Sequence, residues 1–491
     1  MAKNRKSSFK NLRNYVNSIE NSKVPFAYLL VLFFISITLR NFLEVLFSGA
    51  KLDSWTFLHF YLYYALLFLV LGLFFYFVTK VEMKKIARAI LPFFSLIIFV
   101  PIADVILSGG RGFKISYLLP GIHNDILIRF FTFGGGFVPT GMTPGIKLVG
   151  LIALLFSFFY FYSKKIGAVK SFFYTFLIYV FGFCFLVAPF FLKFFSDFFG
   201  INLLDNWDIT FASFYAILIF VAGAFVFYFS DKRKFLWLFG GKGFLRLFHY
   251  ELMFFAGVFI GLKSGLFSLS GQNFFYFLLV PIAIFFAGIF SGMVNDIEDF
   301  KKGAGKDYGI AFAFLAAAIF YSLLAGFFAT ALIFIGSVIF FIYSARPLRL
   351  KRIPVFSKFL LACGSLVLVL LGYLLVGGQI ALFPPSITIF FLVGVSLAIN
   401  FIDLKDYESD KKDGIMTLPV LLGMKRAKIL IGIFFIGAYA LAYFIFNNPL
   451  LIFPLSFFAL AEFYLITRKN YSEKAVFAVY IVSIILLLPF F

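Results

Sequence analysis

An all-α, polytopic membrane protein is the fold class this sequence predicts, and three observations carry it. The 491-residue chain is 63% hydrophobic and only 13% charged, far from the balance of a soluble globular domain. Apolar runs of about twenty residues recur from end to end, the length a helix needs to cross a bilayer. The runs do not alternate polar with apolar residues, as the strands of a membrane barrel must. A helix also satisfies its own backbone hydrogen bonds in lipid.

In order, the runs place helices near 26–48, 56–79, 87–108, 147–162, 171–195 and 210–229. Nine more follow, near 250–268, 274–294, 310–326, 328–344, 357–377, 385–402, 428–446, 449–467 and 474–490. That makes about 15 transmembrane helices. Ahead of the first lies a basic, polar stretch with Lys3, Arg5, Lys6, Lys10 and Arg13. It lacks the short apolar core and small-residue cleavage site of a removable signal. With the N-terminus in the cytosol, alternate loops on that side collect about 35 of the 43 lysines and arginines, the bias expected of cytoplasmic loops. Both acidic segments described below then fall on the cytosolic face.

A boundary is expected at the polar stretch Ser230-Asp231-Lys232-Arg233-Lys234 to Gly240-Gly241-Lys242-Gly243. It separates a six-span region, 1–240, from a nine-span region, 245–491. The first region carries a long connector, 109–146, containing His123, Asp125, Arg129 and a run of three glycines. No Gly-Lys-Ser/Thr follows the glycines, so they do not form a phosphate-binding P-loop. The connector reads as a structured link with an amphipathic segment at the interface.

The net charge of +21 is spread over short loops between spans. It indicates membrane orientation and attraction to anionic lipid, not nucleic acid. The two cysteines, Cys184 and Cys363, both lie in apolar runs and offer neither a disulfide framework nor zinc spacing. The 82 phenylalanines are spread evenly over both regions and read as packing and lipid-facing residues.

Two short segments concentrate the acids. Asn295-Asp296-Ile297-Glu298-Asp299, continuing to Asp307, and Asp403 through Asp413 hold nine of the 22 acidic residues. Each adjoins the end of an apolar run. Carboxylates beside a bilayer are costly unless solvated, paired or bound to metal. Asp296 and Asp299 are spaced i,i+3, as are Asp403 and Asp406, while Asp410 follows Asp406 at i,i+4. On helix ends those spacings put carboxylates on one face. Hard oxygen donors that leave room for water and phosphate suit Mg²⁺. Lys301, Lys302, Arg346, Arg349, Lys351 and Arg352 lie in neighbouring cytosolic loops and are suited to phosphate oxygens. The pattern places a diphosphate head at the cytosolic face and an apolar tail between the helices.

At these residues the C-terminal half, about 245–491, resembles the UbiA superfamily of intramembrane prenyltransferases. Asn295-Asp296-x-x-Asp299 is similar to the family's NDxxDxxxD motif. Asp406-Tyr407-Glu408-Ser409-Asp410, with Gly414 and Thr417-Leu418-Pro419 following, is similar to its DxxxD motif. Tyr343-Ser344-Ala345-Arg346-Pro347-Leu348-Arg349-Leu350-Lys351-Arg352 resembles its basic loop. The third aspartate of the first motif falls at Gly303, with Asp307 nearby.

The resemblance implies a nine-helix bundle and a Mg²⁺-dependent transfer of a polyprenyl group from its diphosphate to a lipophilic or phosphorylated acceptor, of quinone-precursor or glycerol-phosphate type. It implies catalytic roles for Asp296, Asp299, Asp406 and Asp410, with Asp403 joining them as a metal ligand. Asn295, Lys301, Arg346, Lys351 and Arg352 are then expected to bind substrate. Two other readings remain open: a transporter or flippase of a lipid-linked phosphate, and a catalytically degenerate lipid-binding scaffold.

Overall fold

The computed structural model describes residues 2–49, 54–110, 112–114, 117–120, 125–135, 142–203, 207–239, 242–263, 271–299 and 308–490. Within these, side chains are described outside 2–10, 237–239, 242–244 and 271–272. The described residues form helices and connectors, with no strand. Fifteen of the helices are long and apolar enough to span a membrane, as the hydropathy pattern predicts. The chain divides into two compact units: Met1–Phe235 with Ser270–Gln272, and Leu236–Leu269 with Asn273–Phe491.

The first unit comprises α1 (Ala2–Glu20), α2 (Phe26–Ser48), α3 (Ser54–Thr79), α4 (Met83–Leu107), the short α5 (Ile126–Phe131), α6 (Pro144–Ser163), α7 (Ala168–Leu186), α8 (Ala188–Phe199) and α9 (Trp207–Ser230). Its core joins Phe33 and Ile37 of α2, Phe75 of α3, Ile86 and Phe94 of α4 and Phe161 of α6. The basic N-terminal stretch is helical, and its last residue anchors it. Glu20 is buried, accepting hydrogen bonds from the Tyr160 hydroxyl at 2.6 Å and Lys164 Nζ at 2.7 Å. Inside α4, residues Leu91–Ile98 tighten to 3₁₀ geometry directly after Pro92 enters the helix. Proline removes an intrahelical donor and crowds the preceding turn.

A lysine- and phenylalanine-bearing helix, α10 (Lys232–Phe239), falls at the division between the units. The second unit then runs through α11 (Lys242–Lys263), α12 (Gly271–Glu298), α13 (Tyr308–Ala325), α14 (Phe327–Ser344), α15 (Phe356–Leu375), α16 (Pro385–Lys412), α17 (Leu418–Leu422), α18 (Met424–Phe446), α19 (Pro449–Thr467) and α20 (Glu473–Phe490). Helices α11 and α15 approach closely because glycines face each other. A Cβ on Gly257 would overlap the Val369 carbonyl, and one on Gly372 would overlap the Phe254 carbonyl. Small residues at such crossings let membrane helices gain dispersion contacts without a hydrophobic driving force.

The last element entering the acidic region departs from the expected outline. The span near 385–402 does not stop before the acids: it continues as one helix to Lys412. Its course is irregular, with a π-helical turn at Phe390–Val395 and a 3₁₀ turn at Ile399–Ile402 before regular α-helix resumes at Asp403. That last segment has Asp403 and Asp406 in its first turn and Lys411 and Lys412 in its last, the charge order that the helix dipole favours.

Candidate active site

The described part of the first acidic segment, Asn295 to Asp299, is the C-terminal turn of α12. There Asn295 Nδ2 donates to Asp299 Oδ2 at 3.1 Å, an i,i+4 contact. The connector after α14 folds back over this turn. Ser344 Oγ lies 3.4 Å from Asn295 Oδ1, and Arg349 Nη2 donates to Asp299 Oδ1 at 2.9 Å. Lys351 Nζ donates to the same Asp299 oxygen and also to Asn295 Oδ1, the latter at 3.3 Å. Glu298 accepts from the Tyr308 hydroxyl and from the Arg346 backbone N–H at 3.3 Å, and Arg346 Nε stands 3.5 Å from its carboxylate.

Arg349 is the pivot of this connector. It is 2% exposed and its φ is +39°, a left-handed conformation that costs a non-glycine residue about 1–2 kcal/mol. The turn is held by its own N–H, which donates to the Ala345 carbonyl at 2.7 Å, and by the ion pair with Asp299.

The second acidic segment is met by a lysine from α15. Lys358, buried near the start of that helix, donates to the buried Asp403 at 2.5 Å. The Lys351 charge also favours the ionised forms of Asp403 and Asp410. On the flank, Lys405 pairs with Glu473 at 3.3 Å, and Arg246 stands 3.9 Å from the same carboxylate. The Tyr471 hydroxyl donates to the Phe401 carbonyl at 2.8 Å. Burial, followed by the Glu473 carboxylate, holds that phenol well above its ordinary range.

Of the residues singled out in the sequence, Asn295, Asp299 and Lys351 share direct hydrogen bonds. Asp403, Asp406 and Asp410 lie on one helix within electrostatic reach of one another. Asp296 is half-buried on the same turn as Asn295. Arg346 pairs with Glu298 instead of an aspartate, and Arg352 is exposed. Lys301, Lys302, Gly303 and Asp307 lie outside the described residues, as does His123. Two contributors were missed. Lys358 had a usable signal, a lysine set inside the start of an apolar run. Arg349 was visible as part of the basic loop, but nothing in the spacing distinguishes it from Arg346 or Arg352.

Among the described residues, no three histidine, cysteine or acidic side chains gather into a cage. The donors of the acidic segments are nonetheless all hard oxygens, and Mg²⁺ is usually held by one or two carboxylates together with substrate phosphates. The set therefore fits a metal that arrives with a diphosphate.

Comparison with known proteins bears out the resemblance. Residues 303–484 match the model of the UbiA prenyltransferase family. That stretch includes the second acidic segment and the basic connector and begins just after Asp299. Solved structures of a UbiA homolog from Archaeoglobus fulgidus are similar to this chain. One is 19% identical, covering 50% of this chain and 94% of that one, with a TM-score of 0.40. Another, bound to GPP and Mg²⁺, is 18% identical over 51% of this chain and 98% of that one, with a TM-score of 0.37. A digeranylgeranylglyceryl phosphate synthase structure is 17% identical over 50% of this chain and 96% of that one, with a TM-score of 0.35. No curated protein sequence matches the chain. Residues 303–484 are thus similar to the UbiA prenyltransferase family.

Proposed function

We propose that the second unit, residues 245–491, is a Mg²⁺-dependent intramembrane prenyltransferase, distinct from a six-span region at 1–240. It moves a polyprenyl group from its diphosphate to a lipophilic or phosphorylated acceptor, at the cytosolic face. The observation that carries this reading is Lys351, which with Arg349 is hydrogen-bonded to the Asn295–Asp299 turn and so sets basic side chains directly against an acidic segment. An ammonium and a guanidinium set against carboxylates mark a point where phosphate oxygens and their counter-ions can exchange partners.

In this reading Asp296, Asp299, Asp406 and Asp410 hold the metal, with Asp403 and Asn295 assisting. Lys351 and Arg352 bind phosphate oxygens, with Arg346 and Lys301 joining them. When bound, Mg²⁺ neutralises charge developing on the departing diphosphate. The chain's own part is electrostatic and positional. Arg349 holds Asp299 in place, Lys358 holds Asp403, and Lys351 offers its ammonium to the leaving group.

The test is incubation of the purified protein with labelled dimethylallyl, geranyl and geranylgeranyl diphosphates, Mg²⁺ and a membrane extract. Diphosphate release and mass spectrometry of the lipid product are the readouts. Release that requires Mg²⁺ and is lost in Asp406→Asn is expected. No release from any of the three donors, or equal release from Asp406→Asn, refutes the assignment.

A further inference from the structure

The first unit encloses a cavity of about 640 Å³, within the range of sites that bury a small ligand. Its shape is set by one face of α3. Thr56, Tyr63, Leu67, Leu71 and Phe75 all line it, with nineteen helical rises from the first to the last. At 1.5 Å per residue that is about 28 Å, close to the thickness of a bilayer's hydrocarbon core.

The polar lining is concentrated at one end. There, Thr56 Oγ1 donates to Asp208 Oδ2 at 3.1 Å, while the other carboxylate oxygen lies 3.2 Å from His59 Nδ1. His59 Nε2 is 2.9 Å from the Tyr117 hydroxyl, which accepts from the Tyr215 hydroxyl at 3.0 Å. The Tyr117 and Phe211 rings stack at 4.6 Å, and Trp207 stacks on Phe211 at 5.5 Å. Tyr117 belongs to the long connector, and its neighbour Leu118 is fully buried, its N–H donating to the Leu186 carbonyl at 3.0 Å. The connector therefore builds the cavity's polar end. Beyond Tyr64 the walls are chiefly leucine, isoleucine and phenylalanine from α3, α4, α6 and α7.

Among the described residues, the charges at the polar end balance. The described lining acids are Glu44 and Asp208. Glu44 is neutralised by the buried Arg40 at 2.5 Å, and Lys114 supplies a positive charge acting on Asp208. A phosphate or diphosphate head would meet no excess of positive charge among the described lining residues, and burying an unmatched charge is costly. A hydroxyl can instead both donate to and accept from the histidine–tyrosine–carboxylate chain.

We propose that the first unit binds one single-chain lipid with an uncharged hydroxyl head. The head sits at His59, Tyr117 and Asp208, and the chain lies along α3 towards Phe75. This site is separate from the acidic one and does not depend on its assignment.

The test uses the full chain in detergent with a diazirine-bearing long-chain alcohol as photoprobe, and mass spectrometry of the labelled peptides. Labelling on α3, α4, α6 or α7 is expected, with hexadecanol competing at least ten-fold better than hexadecyl phosphate. Ala153→Trp, which fills the tail region, is expected to remove labelling. Tyr117→Phe is expected to weaken it by about 3- to 10-fold, the value of one hydrogen bond. Equal or better competition by the phosphate refutes the head assignment. Labelling that falls outside these helices refutes the site. The competition and the site mapping use the unaltered protein, so both remain decisive if a variant fails to fold.

Discussion

Asp299 is expected to contribute to the architecture of the second unit as well as to its chemistry, and a double-mutant cycle with Arg349 measures how much. The Arg349 side chain is 3% exposed and that of Asp299 is 21% exposed. Arg349 Nε is buried with no hydrogen-bond partner among the described residues, so its guanidinium relies on Asp299 for compensation. Breaking a fully buried pair by deleting one partner costs about 3–5 kcal/mol. The partial exposure of Asp299 lowers the expectation for Asp299→Ala to about 2–3 kcal/mol, the scale of one or two charged hydrogen bonds. At about 2–4 °C per kcal/mol for a unit of this size, melting should fall by roughly 4–12 °C. The coupling between Asp299→Ala and Arg349→Ala should be about 1.5–3 kcal/mol. The assay is thermal melting in detergent followed by a thiol-reactive fluorophore, in a Cys184→Ser background. Cys363 on α15 is then the reporting thiol, in the same unit as the pair. Wild-type melting of Asp299→Ala, or a coupling below about 0.5 kcal/mol, would refute the argument.

The buried Lys358–Asp403 pair should behave similarly: Lys358→Met alone lowers stability by about 3–5 kcal/mol. Lys358→Met with Asp403→Leu recovers most of it while diphosphate release stays lost, and melting curves beside an activity assay separate the two effects. Gly257→Leu should disrupt the α11–α15 contact and lower the melting temperature by at least 5 °C, by about 2 kcal/mol or more of overpacking; unchanged melting would show that the helices do not approach closely. Glu462 on α19 is fully buried, and neither carboxyl oxygen has a hydrogen-bond partner among the described residues. Glu462→Leu should therefore raise stability, by about 1–3 kcal/mol of relieved polar burial. Because Asp299 and Asp403 are already paired with basic side chains, Mg²⁺ alone should move the melting temperature by less than about 1 °C. Mg²⁺ with a prenyl diphosphate should raise it clearly.

The number and order of the spans were legible because lipid imposes a length and a composition on every crossing. The acidic segments and the basic connector were legible for a related reason. Charge is costly beside apolar runs, so nine acids in two short segments stand out without any coordinates. Spacing put Asp296 and Asp299 on one helix turn, and Asp403, Asp406 and Asp410 on another.

Pairing was not legible, because it is decided by contacts between residues far apart in the chain. Arg349, Arg346 and Arg352 are equivalent by spacing and composition. Only the left-handed turn at Arg349 sends that side chain inward to Asp299 while leaving Arg352 exposed. Lys358 meets Asp403 across 45 residues of sequence. The connector at 109–146 read as a structured link with an amphipathic segment at the interface, and its Tyr117 joins His59 of α3 and Tyr215 of α9 to close the end of a cavity. Hydropathy and local spacing record what each residue costs in lipid or water. Which partner relieves that cost is settled only when distant helices pack together.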